Sequence, residues 1–308
     1  MKPMKQGIRY ALVLCLVLGT ASAAMAGSVT LKKAFIEKYK NRATIDASFV
    51  VDHAHPHPNP PQKDGDMHVA GRAQQEVGLP MVAEVMNAAQ KGQGPAVTDI
   101  HADENGKTVV PISGAWRFWF EHPSTAPQIQ FATVPPAANT NPDHCFEIHP
   151  ITKFDGKDVL DSFQFVPGFD AHAAKDSFDS YEKLTISLKV SASAVTINSP
   201  KAGFNYADFF IEFVGKPQPL DDGGVVALAN VLEEAKGDPL VENVRMIFVP
   251  GTPPAGQMQS SPPAEGEVWH VLGIPRVSLE AVSAWISKGG GNISNRKLPY
   301  EMIIVGVE

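Results

Sequence analysis

The sequence predicts a mainly β protein of two domains, each a sandwich or small barrel, with a few short helices. Three observations carry that expectation. Short runs rich in β-branched and aromatic residues recur along the chain, each closed by a cluster of Pro, Gly, Asn or Asp. The 25 Gly and 26 Pro in 308 residues supply many turns. With 44% hydrophobic and 19% charged residues, the composition is globular and excludes disordered, collagenous and coiled-coil chains.

Residues 1–26 have the make-up of an export signal. Lys2, Lys5 and Arg9 accompany the short apolar run Tyr10 to Leu18, and Ala24-Met25-Ala26 is an A-x-A cleavage site before Gly27. The run is shorter than the roughly 20 apolar residues of a permanent span. Leu14 before Cys15 is bulky where a lipoprotein signal takes a small residue. Export to the periplasm or beyond the cell is expected, with no transmembrane segment after cleavage. Cleavage removes Cys15, so Cys145 has no partner for an internal disulfide, and beside Phe146 and Ile148 it reads as a buried, inert thiol. The formal net charge of -7 argues against tight, non-specific nucleic-acid binding.

Leu31 to Arg42 is expected to be a helix, because Leu31, Ala34, Phe35 and Tyr39 recur at helical spacing. Its other face carries Lys32, Lys33, Lys38 and Lys40, a solvated face or one open to an anionic membrane or polymer. Strand signals follow at Ala43 to Asp52, Met67 to Ala73, Leu79 to Met86, Gly114 to Phe120, Ile129 to Val134 and Phe146 to Phe154. Asp155 to Leu184 reads as a connector, with a helix over Ala171 to Lys183 capped by Asp170. A second strand set covers Leu184 to Asn198, Tyr206 to Val214, Gly223 to Leu232, Val244 to Val249, Glu267 to Leu272 and Tyr300 to Val307. Val277 to Trp285 fits both periods and is taken as a strand. Gly251 to Glu265 reads as a Pro-rich loop and Gly289 to Gly291 as a turn. The division is then a domain over 27–155, a connector over 156–183 and a second domain over 184–308.

Polar chemistry concentrates in the first half. After the turn Asp64-Gly65-Asp66, alternation puts His68, Ala70 and Arg72 on one strand face. Later, Glu147 and His149 share a face opposite Phe146 and Ile148, and Pro150 then demands an edge, a strand end or a bulge. Glu84 stands in the apolar stretch LPMVAEVMNA, where an acid is exposed, paired or shifted in pKa. Asp64, Asp66, His68, Arg72, Glu84, Glu147 and His149 are the candidate ligand-binding residues. His68, Glu147 and His149, with Asp66, are donors suited to Zn²⁺ or another divalent metal. The same histidines could instead pin turns by hydrogen bonds, or a carboxylate–imidazole pair could activate water.

His53, His55 and His57 would line one face and chelate metal in an extended strand. Pro56, Pro58, Pro60 and Pro61 favour polyproline II, in which the three imidazoles diverge. Trp116, Phe118 and Phe120 alternate with Arg117 and Trp119, as a buried core strand or a stacking platform for bases or sugars. H-E-x-x-H, G-x-S-x-G, G-x-x-x-x-G-K-[ST] and C-x-x-C do not occur, and no catalytic residue is assigned.

Asp64-Gly65-Asp66-Met67-His68, LPMVAEVMNA and Phe146-Glu147-Ile148-His149-Pro150 together resemble secreted bacterial proteins of unknown function with an OB-fold-like domain. The likeness lies in a D-G-D-x-H turn-strand followed much later by an aromatic-E-x-H-P strand. It spans roughly residues 43–155 and implies a small Greek-key barrel, without an established activity. In the second half, RMIFVPGT (Arg245 to Thr252) and VLGIPR (Val271 to Arg276) suit strands of a second OB-like barrel. OB barrels take oligonucleotides, oligosaccharides or proteins, so the fold does not choose the ligand. The expected function is an exported, non-enzymatic binding or scaffold protein for a small molecule, oligomer or protein. The alternative is a metal-assisted hydrolase, for instance of phosphodiesters, built on the Asp/His/Glu group.

Overall fold

The structure, a computed structural model, describes residues 26–289 and 291–308. The export signal lies outside the described residues, apart from Ala26. The chain opens with strand β1 (Ala26–Lys32) and helix α1 (Lys33–Tyr39). Strands β2 (Thr44–Ala54), β3 (Met67–Arg72) and β4 (Met81–Val85) follow, then helix α2 (Gly94–Asp103). After them come β5 (Val109–His122), β6 (Gln128–Ile129), β7 (His144–Phe154) and β8 (Lys157–Asp158). The middle of the chain holds β9 (His172–Ala173), α3 (Ala174–Lys183), β10 (Thr185–Val190) and β11 (Ala194–Pro200). Then β12 (Ala207–Pro219), β13 (Val225–Leu232) and β14 (Pro239–Phe248) lead to α4 (Pro253–Ser260). The chain closes with β15 (Val268–Val277), α5 (Leu279–Gly289), β16 (Ile293–Lys297) and β17 (Tyr300–Val307).

Two sheets close on themselves. In the first, β2, β3, β4, β7 and β5 pair in turn and β5 returns to β2, with β4 and β7 parallel. In the second, β12, β13, β14, β17 and β15 repeat the same circuit, with β14 and β17 as the parallel pair. Numbered within each barrel the order is 1-2-3-5-4-1, with a helix between strands three and four, which is the OB connectivity. Alternation in β12 shows why: Ala207, Phe209, Ile211 and Phe213 are buried inside the barrel while the residues between them are half-buried. By contrast, Gly114 to Phe120 of β5 and His144 to Thr152 of β7 are buried on both faces. One face fills the first barrel and the other lies against the second barrel. The third sheet, β16-β10-β11-β1-β6, draws strands from both halves of the chain.

The barrels meet through an apolar cluster with Ala43, Met86 and Ala115 from one side and Ile247, Leu272, Ile274 and Ile303 from the other. Phe163 and Val166 of the connector join it, and the Asn87 side chain donates to the carbonyls of Ser162 and Gln164. Two buried arginines cross the junction reciprocally. Arg117 Nε donates to the Pro275 carbonyl at 3.0 Å, and Arg276 Nη1 donates to the Trp116 carbonyl at 3.0 Å. Each also bonds a glutamate directly opposite on the fifth strand of its own barrel, Glu147 for Arg117 and Glu301 for Arg276. Arg276 further reaches the carbonyls of Arg42 and Ala43 and lies 3.5 Å over the Trp116 ring.

Several elements depart from expectation. Leu31 belongs to β1, and the helix begins only at Lys33, so Lys32 leaves the basic face and Ala34 is exposed. Val277 to Trp285 is not a strand: Ser278 Oγ accepts the Ala281 N–H and starts α5, burying Leu279 and Val282 at helical spacing. The Pro-rich loop contains α4, because Pro253 sits in its first turn, where a missing N–H costs nothing. Asp170 caps no helix, since α3 starts at Ala174. Ile129 to Val134 pairs only at Gln128–Ile129 and then turns, with Phe131 at φ 66°. Leu184 to Asn198 is a hairpin turned at Ser191. The aromatic strand is core rather than platform, for Trp116, Phe118, Trp119 and Phe120 are all buried.

Of the three positions open to Pro150, an edge, a strand end or a bulge, it occupies a bulge, where Gly114 pairs with Ile151 and Trp116 with Ile148. A Cβ on Gly114 would lie 2.6 Å from the Pro150 carbonyl, so the close approach requires glycine. Among the described residues no helix is long and apolar enough to cross a membrane.

Removing one member of a buried ion pair leaves the other charge uncompensated. Arg276→Ala is therefore expected to cost about 3–5 kcal/mol. Arg245→Ala, whose partly exposed guanidinium also bonds Glu301, is expected to cost about 1 kcal/mol. Equilibrium urea unfolding of the two variants checks that order.

Candidate functional site

The outer face of the first barrel is where the polar residues meet. Met67, Val69, Ala83, Val85, Phe146 and Ile148 point into the barrel core, so His68, Glu84, Glu147 and His149 point out of it. His68 lies directly opposite Glu84 across β3–β4. Asp66 closes the turn ahead of β3, where Asp64 Oδ1 accepts its N–H at 3.0 Å and Gly65 adopts φ 73°. The second barrel and the connector cover this face. As a result Asp66 and His149 are fully buried, Glu84 and Glu147 nearly so, and the His68 side chain retains 17% exposure.

His149 sits at the centre, with carboxylates on both sides of its ring. Its Nε2 lies 3.2 Å from Asp66 Oδ2 and 2.9 Å from the Tyr206 hydroxyl. That hydroxyl donates to Asp66 Oδ2 at 2.5 Å, so it accepts from the imidazole. On the other side, Nδ1 lies 3.4 Å from Glu147 Oε2 and 3.7 Å from Glu84 Oε1. Glu147 is already committed, taking Arg117 Nη1 at 2.5 Å and His144 Nε2 at 3.1 Å. Glu84 is the uncommitted acid: one oxygen faces His149, the other lies 3.2 Å from His68 Nε2 without the alignment of a hydrogen bond. Glu84 Oε2, His149 Nδ1 and His68 Nδ1 are buried and make no aligned hydrogen bond to a described residue.

Charge follows from this geometry. Burial, reinforced by Glu147 and Asp66 against the pull of His149, pushes Glu84 up to about 8. Burial opposes a charge on His149, but Glu84, Asp66 and Glu147 outweigh it and hold the imidazole well above its usual range. Burial likewise works against charge on Glu147, yet Arg117, His144 and His149 keep it well below the usual carboxylate range. Burial lowers His68, helped by the charge of His149. Burial beside Asp66 raises the Tyr206 phenol far above its usual value. Burial also raises the thiol of Cys145, the one cysteine among the described residues, and so keeps it inert.

Five of the seven candidate residues therefore converge: Asp66, His68, Glu84, Glu147 and His149. Asp64 only shapes the turn, bonding Asn59 and the Asp66 N–H. Arg72 is held in a two-pronged pair by Asp52, away from the group. The expected metal set of His68, Glu147 and His149 is altered, because Glu147 is tied to Arg117. Donor atoms of Asp66, Glu84 and His149 lie within 4.8 Å of one another, with His68 against Glu84. The His-rich run splits, since β2 ends at Ala54. His53 turns to Glu104, His55 stacks on His68 at 4.6 Å between ring centres, and His57 is exposed.

Arg117, His144 and Tyr206 were not among the candidates. Nothing near Tyr206 in sequence points to a site, because it arrives from the second barrel. Arg117 had a readable signal: Gly114-Ala-Trp-Arg117 with Phe146-Glu147-Ile148 recurs as Gly273-Ile-Pro-Arg276 with Tyr300-Glu301-Met302. The strand registers turn that repeat into a residue-by-residue correspondence. Ala83 lies beside Ile148 as Met246 lies beside Met302, so Glu84 corresponds to Ile247 and His149 to Ile303. Val69 pairs with Ala83 as Ala227 pairs with Met246, so His68 corresponds to Val226 and Asp66 to Gly224. The second barrel keeps the Arg–Glu pair and fills every other position of the group with Gly, Val or Ile.

No known family model matches the chain, and no curated protein is similar enough in sequence to count as a match.

In metal-free protein, Glu84 and His149 bind protons more tightly when folded than when unfolded. The contribution of Glu84 is complete below its ordinary value of 4.5 and drains as pH rises through about 8, while that of His149 is complete below 6.5 and is lost only well above it. Glu147 acts in the opposite sense, its contribution being lost as pH falls below 4.5. The melting temperature is thus expected to peak near pH 4.5 and to decline as pH rises towards 8. Glu84→Gln, which cannot ionise, should flatten the alkaline decline, as differential scanning calorimetry across that range would show.

Proposed function

We propose that the protein is an exported, non-enzymatic binding protein whose ligand is a divalent transition-metal ion. Asp66, Glu84 and His149 hold the ion between the barrels, and His68 completes the donor set. One observation carries this reading. Four polar donors occupy positions that the same fold, within the same chain, fills with Gly224, Val226, Ile247 and Ile303. The barrel does not need them. Buried carboxylates and imidazoles cost several kcal/mol unless fully partnered, and three donor atoms here lack an aligned partner.

Charge balance supports the same conclusion. Metal ligation requires an ionised carboxylate and a neutral imidazole. An ion entering the group would displace the protons of Glu84 and His149, two positive charges exchanged for two. Two imidazoles with two carboxylates suit zinc and its neighbours rather than calcium or magnesium, which prefer all-oxygen sites. Burial of Asp66, Glu84 and His149 favours retention of an ion over turnover of a substrate, so metal-assisted hydrolysis is the weaker reading. Residues 1–26 support export.

The test uses full-length protein purified without an affinity tag and metal analysis after brief chelation, which leaves only slowly exchanging metal. One retained equivalent is expected in the parent protein, with uptake that strengthens as pH rises. His149→Ala should lose it. The double variant His68→Val with Glu84→Ile, which installs the second barrel's residues, should lose the metal while melting no lower than the parent. Retention of metal by that double variant, or absence of a tight equivalent in the parent, overturns the reading. Hydrolysis of a phosphodiester that disappears with the metal would replace binding by catalysis.

A further inference from the structure

We infer that the His55 ring is the lid of the buried group and sets how fast a metal ion passes in and out. The inference rests on the binding reading and adds the path that the ion takes. Asp66 and His149 have no exposure and the Glu84 side chain keeps 5%, so the donor set reaches the surface through His68. Tyr206 lies against Asp66 and His149, and Val166 lies against Gly65, both within the buried cluster between the barrels. The His55 ring lies flat on the His68 ring, with 4.6 Å between centres and 6° between planes. His68 Nδ1 is buried without a hydrogen-bond partner, and Nε2 faces Glu84 at 3.2 Å. His55 itself is half-buried, so its ring stands between His68 and solvent.

The backbone beneath the lid is tied down on both sides. The His55 N–H donates to the His68 carbonyl at 2.9 Å, and the Asn59 N–H donates to the Asp66 carbonyl at 2.8 Å. Asn59 Nδ2 adds a bond to Asp64 Oδ1 at 3.0 Å, and Pro56, Pro58, Pro60 and Pro61 fix φ along the same run. The ring therefore opens by turning about its own side-chain bonds, a motion far faster than a parting of the barrels. An imidazole binds an ion in its own plane. Two nearly parallel planes do not meet at one ion, so His55 covers His68 rather than joining it as a ligand. The second barrel has neither ring. Gln218 stands opposite Val226 where His55 stands opposite His68, and its side chain turns back to the Lys216 carbonyl. The cover occurs only on the barrel that carries the donors.

Stopped-flow uptake of Zn²⁺ and chelator-driven release, measured on full-length, untagged protein, test the lid. His55→Ala should speed both about tenfold, a barrier lower by about 1.4 kcal/mol, and leave the equilibrium affinity unchanged because entry and exit share that barrier. His55→Phe, which keeps a flat ring without donor nitrogens, should retain the parent rates, and so should His57→Ala. A second measurement uses metal-free protein: diethyl pyrocarbonate should modify His68 faster in His55→Ala than in the parent, as peptide mass spectrometry would locate. Unchanged exchange and unchanged modification of His68 in His55→Ala would overturn the lid. Slower uptake in both His55→Ala and His55→Phe would overturn it too, making His55 a transient ligand. A parent protein that retains no ion overturns the binding reading, and the metal-free measurement still decides whether His55 covers His68.

Discussion

The reciprocal exchange between Arg117 and Arg276 governs how the two barrels sit together. Each guanidinium is buried, bonds a glutamate of its own barrel and donates to a main-chain carbonyl of the other. A buried arginine has five N–H donors to satisfy, and desolvating them without partners costs several kcal/mol. Sliding one barrel past the other would break both sets at once. Apolar contacts among Ile247, Ile274, Ile303 and Ala115 supply attraction without direction. The arginines supply the register.

Around that shared frame the two halves diverge. Each barrel also touches the start of the other's first strand, and the chemistry of that contact differs. Asp222 in the second barrel accepts the N–H and hydroxyl of Thr44, while Asp66 in the first accepts the hydroxyl of Tyr206. By strand register Thr44 and Tyr206 are equivalent, so a local capping bond on one side becomes part of a buried polar group on the other. The first barrel thus gives up apolar burial at His68, Glu84 and His149 that the second retains. Sacrificing core stability for donors is the usual signature of a functional site.

Alternation made the faces of β3 and β7 readable, because a period of two separates His68 from Val69 and His149 from Ile148 whatever the barrel does next. The same reasoning placed Pro150 at an irregularity, found as the bulge opposite Gly114. Helices were less readable where they were short. In Val277 to Trp285 the apolar spacing served either period, and the cap by Ser278 decided it. In α4 the prolines that suggested a loop occupy the one turn that tolerates them. At Leu31 a strand paired to Val195 overrode a helical spacing.

The amino-acid order by itself determined the β character and the strand faces of His68 and of Glu147 with His149, since these rest on local periodicity; it singled out Asp66 and Glu84 by their polar character in a turn and an apolar stretch, and the OB-like barrel was what the resemblance implied. Only the tertiary structure decided that the outward face is covered, that Glu147 belongs to Arg117, and that Tyr206 closes the group from 140 positions beyond Asp66. Burial and pKa depend on what lies across a face, and that neighbour comes from a distant part of the chain. A strand's period states where a side chain points, and packing alone states what it meets.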